Sequence, residues 1–382
     1  MDQRSYLDYN ATSPLRDEVR AAVVDALSLT GNPSSVHEEG RNARAAIESA
    51  RAKVAKLVGA RPEDVIFTSG GTEANALALS PQRGEAWHCY VSAVEHPSVL
   101  AGGRFHPETM TQIPATPDGV IDLEILASEL AKHHLGGRRP LVSLMAANNE
   151  TGAIQPVAEA AKIVKDTGGL FHTDAVQAAG RMRLDLATLG ADMVSLSAHK
   201  IGGPKGVGAL VVREGVSVEP LLKGGGQERR RRAGTENVPG IVGFSVAAEL
   251  ASADLSRVDG IEALRDELEA KVLSLAPDAV VLSAGVKRLP NTSCIAVPGA
   301  KAETLVIGLD LAGVAVSSGS ACSSGKVEAS HVLAAMGVAP ELAQGAIRIS
   351  LGFATKRDDI ENFLEAFGQL IKRMKQGSKV AA

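Results

Sequence analysis

The lysine of Ser197-Ala198-His199-Lys200 closes an apolar run that begins at Met193. An ammonium at the end of a buried strand loses hydration. Its pKa falls, leaving an amine able to form a Schiff base with a carbonyl. Lys205, in the Gly-rich stretch that follows, reads as a solvated loop lysine. Ser197 and His199 are candidate donors to a phosphate.

Four further polar clusters follow apolar runs. Phe67-Thr68-Ser69-Gly70-Gly71-Thr72-Glu73 brings two glycines and a hydroxyl residue to the start of a helix. There the backbone approaches a ligand closely and the first amides attract an anion, although a helix capped by Thr72 would use the same residues. Glu95-His96-Pro97 and Asn148-Asn149-Glu150-Thr151-Gly152 fit a structural histidine and a polar turn as well as they fit chemistry. His172-Thr173-Asp174-Ala175-Val176-Gln177 puts a carboxylate at a strand end, where it needs a cation or several donors. A helix cap is one reading of Asp174, and a partner for a cationic ring nitrogen is the other. Cys322 lies in Ser317-Ser318-Gly319-Ser320-Ala321-Cys322-Ser323-Ser324-Gly325, the composition of an exposed, mobile loop. A thiol there can swing to a partner or be incidental. Cys89 and Cys294 sit in apolar stretches and read as packing residues.

A phosphate cradle, a carboxylate, an amide and a lysine, one per strand end, form the inventory that pyridoxal phosphate (PLP) needs. That cofactor withdraws electrons when its ring nitrogen is held protonated, which an aspartate does.

The elements that must position these groups alternate along the first two thirds of the chain. Strands are expected at 65–68, 90–94, 141–146, 170–173, 193–197 and 207–212, with helices between them such as 157–167, stopped by Gly168 and Gly169. This alternation predicts a mainly parallel sheet covered on both faces, with ligands beyond the carboxyl ends of its strands. A second unit is expected from near Leu250, with a helix at 261–275, short strands at 295–297 and 347–351 and a final helix at 359–374. The predicted division is 12–250 and 251–382, with 1–11 free to pack on the second unit.

The 382 residues exceed what one hydrophobic core usually serves, which fits two units. The net charge of −4 gives no global basic field for nucleic acid. No apolar stretch reaches a membrane span and the N-terminus has no apolar signal core. Three scattered cysteines form no disulfide framework, so a reducing, cytoplasmic compartment is expected. Gly319 to Lys326 imitates a nucleotide-binding loop, but with five intervening residues and Val327 where Ser or Thr is required. Arg229-Arg230-Arg231-Arg232 is the strongest basic run. A phosphate-facing or interface loop is favoured there over a nucleic-acid patch.

The segments LDYNAT, NPSSVH, FTSGGTEAN, VEHPSV, NNETGAIQP, HTDAVQAAG, SLSAHKIGGPKGVGAL, GGGQERRRRAGTENV and SSGSACSSG, in this order, resemble the cysteine desulfurases of the class V PLP-dependent aminotransferase fold. The resemblance runs from about Leu7 to the last helix. It implies a fold type I α/β architecture, with a mainly parallel seven-stranded sheet in the large PLP-binding domain and a smaller α+β C-terminal domain. It implies that Lys200 is the Schiff-base lysine, Asp174 the partner of the pyridine nitrogen, Gln177 the partner of the ring hydroxyl and His96 the residue stacked on the ring. Gly71, Thr72, Ser197 and His199 resemble the phosphate donors. Asn149 resembles the asparagine near substrate and cofactor oxygen, and Arg348 the arginine that binds the substrate carboxylate. Thr235 resembles a residue that reaches the phosphate of a neighbouring subunit, which implies a homodimer with shared sites. The Arg229–Arg232 loop departs from the family's usual pattern at Arg231 or Ala233.

The same resemblance implies conversion of L-cysteine to L-alanine. Freed Lys200 takes the Cα proton, His96 assists proton transfer, and the Cys322 thiolate attacks the substrate sulfur and becomes a persulfide. The longer loop around Cys322 resembles that of the subgroup that feeds an iron–sulfur scaffold protein or another acceptor. No resident metal is expected; a persulfide on Cys322 could ligate an iron–sulfur cluster transiently. The rival activities are selenocysteine lyase and small amino-acid aminotransferase, and the rival class is a non-catalytic scaffold.

Overall fold

The computed structural model describes residues 4–80, 84, 86–134, 137–318 and 329–380. Cys322 lies outside the described residues.

In chain order the strands are β1 (Ser5–Tyr6), β2 (Val65–Thr68), β3 (Trp87–Ser92), β4 (Met110–Ile113), β5 (Arg139–Ser143), β6 (Leu170–Asp174), β7 (Met193–Ser197), β8 (Gly208–Val212), β9 (Val280–Val281), β10 (Thr292–Ala296), β11 (Val314–Ala315), β12 (Ser317–Ser318) and β13 (Ala346–Ser350). The helices are α1 (Asp17–Ala26), α2 (Glu38–Leu57), α3 (Gly71–Ala78), α4 (Pro97–Leu100), α5 (Leu123–His134), α6 (Val157–Asp166), α7 (Leu186–Leu189), α8 (Val238–Asp254), α9 (Val258–Leu275), α10 (Ala302–Leu311), α11 (His331–Ala335), α12 (Pro340–Ala343) and α13 (Arg357–Val380).

Seven strands form the main sheet in the order β2-β8-β7-β6-β5-β3-β4. β8 is antiparallel to both its neighbours and the remaining pairings are parallel. Every residue of β2, β3, β6, β7 and β8 is buried, so these strands show no solvent-facing alternation, and β6 and β7 carry buried polar residues such as His172, Thr173 and Ser195 among their apolar ones. Because β8 alone is reversed, β2, β3, β5, β6 and β7 all end on one edge. The polar clusters follow those ends.

Only β2 and β7 fall at the expected residues; β6 and β8 are offset by one residue at an end, β13 by one at both, and β10 spans Thr292–Ala296 where 295–297 was expected. β3 starts earlier, at Trp87, and ends at Ser92. β5 spans Arg139–Ser143, and the chain beyond it continues irregularly along β6, with the Leu144 and Ala146 amides donating to the His172 and Asp174 carbonyls at 3.0 and 2.8 Å. α6 buries Val157, Ala160, Ala161 and Val164, a helical stripe. It stops where Gly168 turns left-handed at φ 71°, a conformation glycine adopts without strain.

The described residues form four apolar clusters, one of the smaller ones packing α3 on main-sheet residues such as Ile66, Cys89 and Leu210. Of the two largest, one takes in much of the main sheet and α8 as far as Ala251. The other gathers Leu7 with Leu268 and Val272 of α9, Ile347 and Ile349 of β13, and Phe363 and Phe367 of α13. β1 pairs parallel with β11, and Asp8 bridges to Ser350. The N-terminal segment thus begins in the second cluster's layer. It crosses to the first at Ser13, whose amide donates to the His199 carbonyl at 2.8 Å. Contrary to expectation, Val238–Leu275 contains a window long and apolar enough by composition to cross a membrane. Half of that window is buried, with α8 packed against α1 and α2.

Candidate active site

Lys200 ends a 3-10 turn, Ala198–Lys200, that follows β7 directly. It lines a cavity of about 210 Å³ together with Gly71, Thr72, Asn75, His96, Ser98, Asn149, Asp174, Gln177, Ser197 and His199 among others. Five strand ends therefore converge on one space. Its ammonium donates to the carbonyls of Asn10 and Ala11 at 2.5 and 2.9 Å. Burial lowers the lysine's pKa to about 7, helped by the positive charges of Arg348 and Arg181 and opposed by Asp174 and Asp8. The amine is thus available near neutral pH, which an ordinary lysine's is not.

Asp174 ends β6. Its carboxylate accepts from the Val176 amide at 2.9 Å and from Asn75 Nδ2 at 2.7 Å. Asn75 uses the same amide to reach Ser98 Oγ at 2.9 Å, and Ser98 Oγ lies 2.7 Å from His96 Nδ1. The Ser98 amide also donates to that nitrogen at 3.1 Å, so Nδ1 is an acceptor and the neutral ring carries its proton on Nε2. The surrounding protein first, then Lys200 and His331, hold the His96 pKa below its ordinary value, against the pull of Asp174. Behind Asp174, Glu95 is fully buried and accepts from the Met145 amide at 2.5 Å. Burial, and secondarily Asp174, push its pKa well above the ordinary carboxylate value.

At the opposite side, α3 starts at Gly71 without a side-chain cap. The expected cap, Thr72, lies inside the first turn, so the leading amides stay open to a ligand. Among the described residues, Ser197 Oγ is buried with no partner, as is Asn149 Oδ1. A Cβ on Gly71 would come within 2.9 Å of Val176 Cγ2, so only glycine keeps this cradle open. His199 Nδ1 lies 3.2 Å from Thr12 Oγ1, and burial, reinforced by Lys200 and Lys205, lowers its pKa to about 4. Gln177 Nε2 donates to the Asn10 carbonyl at 3.0 Å while its Oε1 accepts from Arg181. Lys205 is exposed, as a loop lysine should be.

Two expected residues stand outside this cavity's lining. Arg348 on β13 donates to the Asn149 carbonyl at 2.9 Å and pairs with Asp8 at 2.9 Å. It is therefore one residue's width from the cavity. Thr235 is exposed and lines a separate hollow with Ser69 and Arg232. The arginine run is tied largely to its own chain. Arg229 and Arg231 donate to the Glu63 carbonyl at 3.2 and 2.8 Å, and Arg232 pairs with Glu73 at 3.0 Å. Glu228, Arg229 and Arg230 all have left-handed φ, 44°, 54° and 66°. Such strain persists only where the surroundings fix it. Here buried Glu228 accepts from Arg51 at 2.6 and 2.9 Å and from the Phe67 amide at 3.0 Å.

A family model described as Aminotransferase class-V matches residues 5–363. A cysteine desulfurase of Cereibacter sphaeroides is 46% identical over 100% of this chain and 99% of its own. The cysteine desulfurase IscS of Dictyoglomus turgidum is 42% identical over 98% of this chain and 96% of its own. The chain belongs to the cysteine desulfurases of the class V aminotransferase family. Among solved structures, a NifS-like protein of Rickettsia africae superposes with a TM-score of 0.89 at 37% identity, covering 97% of this chain and 100% of that one.

The cofactor of this family is PLP, and the desulfurase cavity fits it. The unpartnered Ser197 hydroxyl, the uncapped start of α3 and the open cradle at Gly71 suit a phosphate. The Asp174 carboxylate suits a protonated ring nitrogen, and Lys200 supplies the amine for the carbonyl. Asp174→Asn keeps the shape and removes the charge. We expect that variant to bind PLP while turnover falls by at least about 10²-fold, the scale of losing one preorganised electrostatic partner. Steady-state rates normalised to bound cofactor will measure it.

Asn75, Ser98 and Asn10 were not singled out from the sequence. Asn75 and Ser98 lie within the quoted FTSGGTEAN and VEHPSV segments, but only the fold shows that one amide joins the Asp174 and His96 ends of the site.

Proposed function

We propose that this enzyme removes sulfur from L-cysteine, releasing L-alanine and leaving the sulfur as a persulfide on Cys322. The observation that carries the reading is the convergence at Asn149. Its side chain lines the Lys200 cavity, its carbonyl accepts from Arg348, and Arg348 pairs in register with Ser317 of β12, from which the chain runs on toward Cys322. A lysine, a guanidinium and the stem of the cysteine segment thus meet at one place.

When bound, PLP withdraws the electrons released at the substrate's Cα. Arg348 is placed to take the substrate carboxylate in exchange for Asp8, with two parallel N–H groups. Lys200 holds the cofactor and, once free, takes the Cα proton on Nζ. His96, neutral and protonated at Nε2, offers an N–H donor to the substrate sulfur. The Cys322 thiolate attacks the substrate sulfur. The S–S bond forms as the C–S bond breaks, the bonding electrons stay on the substrate Cβ, that carbon takes up a proton, and the proton held on Lys200 Nζ returns to Cα to give alanine.

The persulfide sulfur passes to an acceptor, an iron–sulfur scaffold protein being the first candidate, in the cytoplasm. The working form is a homodimer in which exposed Thr235 reaches the partner's phosphate. No direct contact with nucleic acid or a membrane is part of this reading.

The experiment is product analysis of the holoenzyme with L-cysteine, L-selenocysteine, and an amino acid plus a keto acid. Equal yields of alanine and sulfide from cysteine with added thiol support the proposal. Turnover that requires the keto acid and gives no sulfide refutes it. Arg348→Lys loses the paired donors, and each hydrogen bond to a charge is worth about 1.5–3 kcal/mol. KM for cysteine is expected to rise roughly 10- to 100-fold in that variant, read from initial rates.

A further inference from the structure

We infer that Asn10 is a positioning residue for Lys200, a buried hub that fixes the lysine's amine relative to the strand carrying Arg348. The inference rests on the proposed roles of Lys200 and Arg348.

Asn10 is 1% exposed and every polar group it has is engaged. Its carbonyl accepts from Lys200 Nζ at 2.5 Å and from Gln177 Nε2 at 3.0 Å, both in the main-sheet unit. Its amide donates to Ser350 Oγ at 2.9 Å, two residues from Arg348 on β13. Its side-chain Nδ2 donates to Thr292 Oγ1 of β10 at 2.9 Å and to the Asn149 carbonyl at 3.2 Å, while its Oδ1 accepts from Asn291 at 3.1 Å. The Asn149 carbonyl also accepts from Arg348 at 2.9 Å.

One residue thus holds the lysine's acceptor on one side and the β10–β13 ladder on the other. The segment has no slack to absorb a shift. Leu7 and Tyr9 are laddered to Ser350 on one side of Asn10, and the Ser13 amide is bound to the His199 carbonyl on the other. A displacement of β13 on capturing a carboxylate therefore moves the carbonyl that holds the amine. A packing asparagine would need neither the paired use of its carbonyl nor the span of both units.

The groups facing the Lys200 amine are Arg348 of β13, Arg181 after β6, Asp174 at the end of β6, Asp8 of the N-terminal segment, His96 before α4 and His199 of its own turn. A carbonyl held against the ammonium favours its charged form. Loosening the carbonyl therefore lowers the pH at which the amine loses its proton.

The test is Asn10→Ala in the holoenzyme, with kcat per bound PLP, KM, the pH profile of kcat and the pH titration of the visible band without substrate. We expect kcat to fall on the order of tenfold, the scale of losing one to two net hydrogen bonds, with KM changed less than twofold. The acid limb of the profile and the midpoint of the band should both shift. Unchanged limb and midpoint, or a loss fully explained by lower PLP occupancy, overturn the inference. Should Asn10→Ala not fold, Thr292→Val removes one anchor of the Asn10 side chain at a distance. The same shifts at smaller size support the hub, and none overturns it. The band titration needs no sulfur chemistry, so it decides on Asn10 even if the wild-type enzyme releases no alanine from cysteine.

Discussion

Lys200→Ala is expected to abolish the visible absorbance of lysine-linked PLP and to lower turnover at least about 10³-fold. Loss of a positioned general base alone costs typically 10²- to 10⁴-fold, and here the anchor is lost as well. Among the described residues no neighbour can substitute. Lys205 is exposed in its loop, and His199 is engaged with Thr12. The fold should survive, because the Asn10 carbonyl keeps its bond from Gln177 and the truncated side chain leaves no buried charge unpaired. Absorbance spectra and unfolding midpoints of wild type and variant will separate a lost anchor from a lost fold. An unchanged spectrum would remove Lys200 from the mechanism.

Cys322→Ser should leave the PLP spectrum intact and reduce alanine formation from cysteine by at least about 10³-fold, since a serine hydroxyl is not ionised near neutral pH and a thiolate is the attacking species. The other two cysteines cannot take over. Cys89 and Cys294 are fully buried. Burial pushes the Cys294 thiol up to about 12 and the Cys89 thiol higher still. Near neutral pH either would be a thiolate only about one part in 10⁴ of the time or less, besides being closed to substrate. Residual desulfurase turnover near the wild-type rate in the serine variant would overturn the role of Cys322.

The fold was legible where buried strands end in polar clusters. Runs such as 65–68 and 193–197 became β2 and β7 at the expected residues, and the strand-end rule brought Gly71, His96, Asn149, Asp174 and Lys200 into one cavity. Those signals are local. What connects the cluster members is not. Asn75 sits in the second turn of α3 and reaches a carboxylate 99 residues away, and Asn10 bonds residues 282 and 340 positions distant. The packing of α3 against β6 creates the first of these neighbours, and the docking of β1 beside β11 with the closure of β10 on β13 creates the others. The arginine run shows the opposite limit. Its composition drew attention to a surface role, but Glu228 at its head, buried against Arg51, is what fixes the loop's left-handed turn. A charge run discloses its sign but not which of its members face inward.

We propose that sulfur leaves cysteine onto Cys322 in a cavity governed by Lys200. The measurement that tests it most directly is a single turnover of the PLP-loaded enzyme with L-cysteine and no added thiol, followed by non-reducing peptide mapping by mass spectrometry and quantitation of alanine. One alanine per subunit and one added sulfur atom on the Cys322 peptide are expected. Neither product is expected in Cys322→Ser or Lys200→Ala. Alanine without sulfur on that peptide, or the added sulfur found on Cys89 or Cys294, would contradict it.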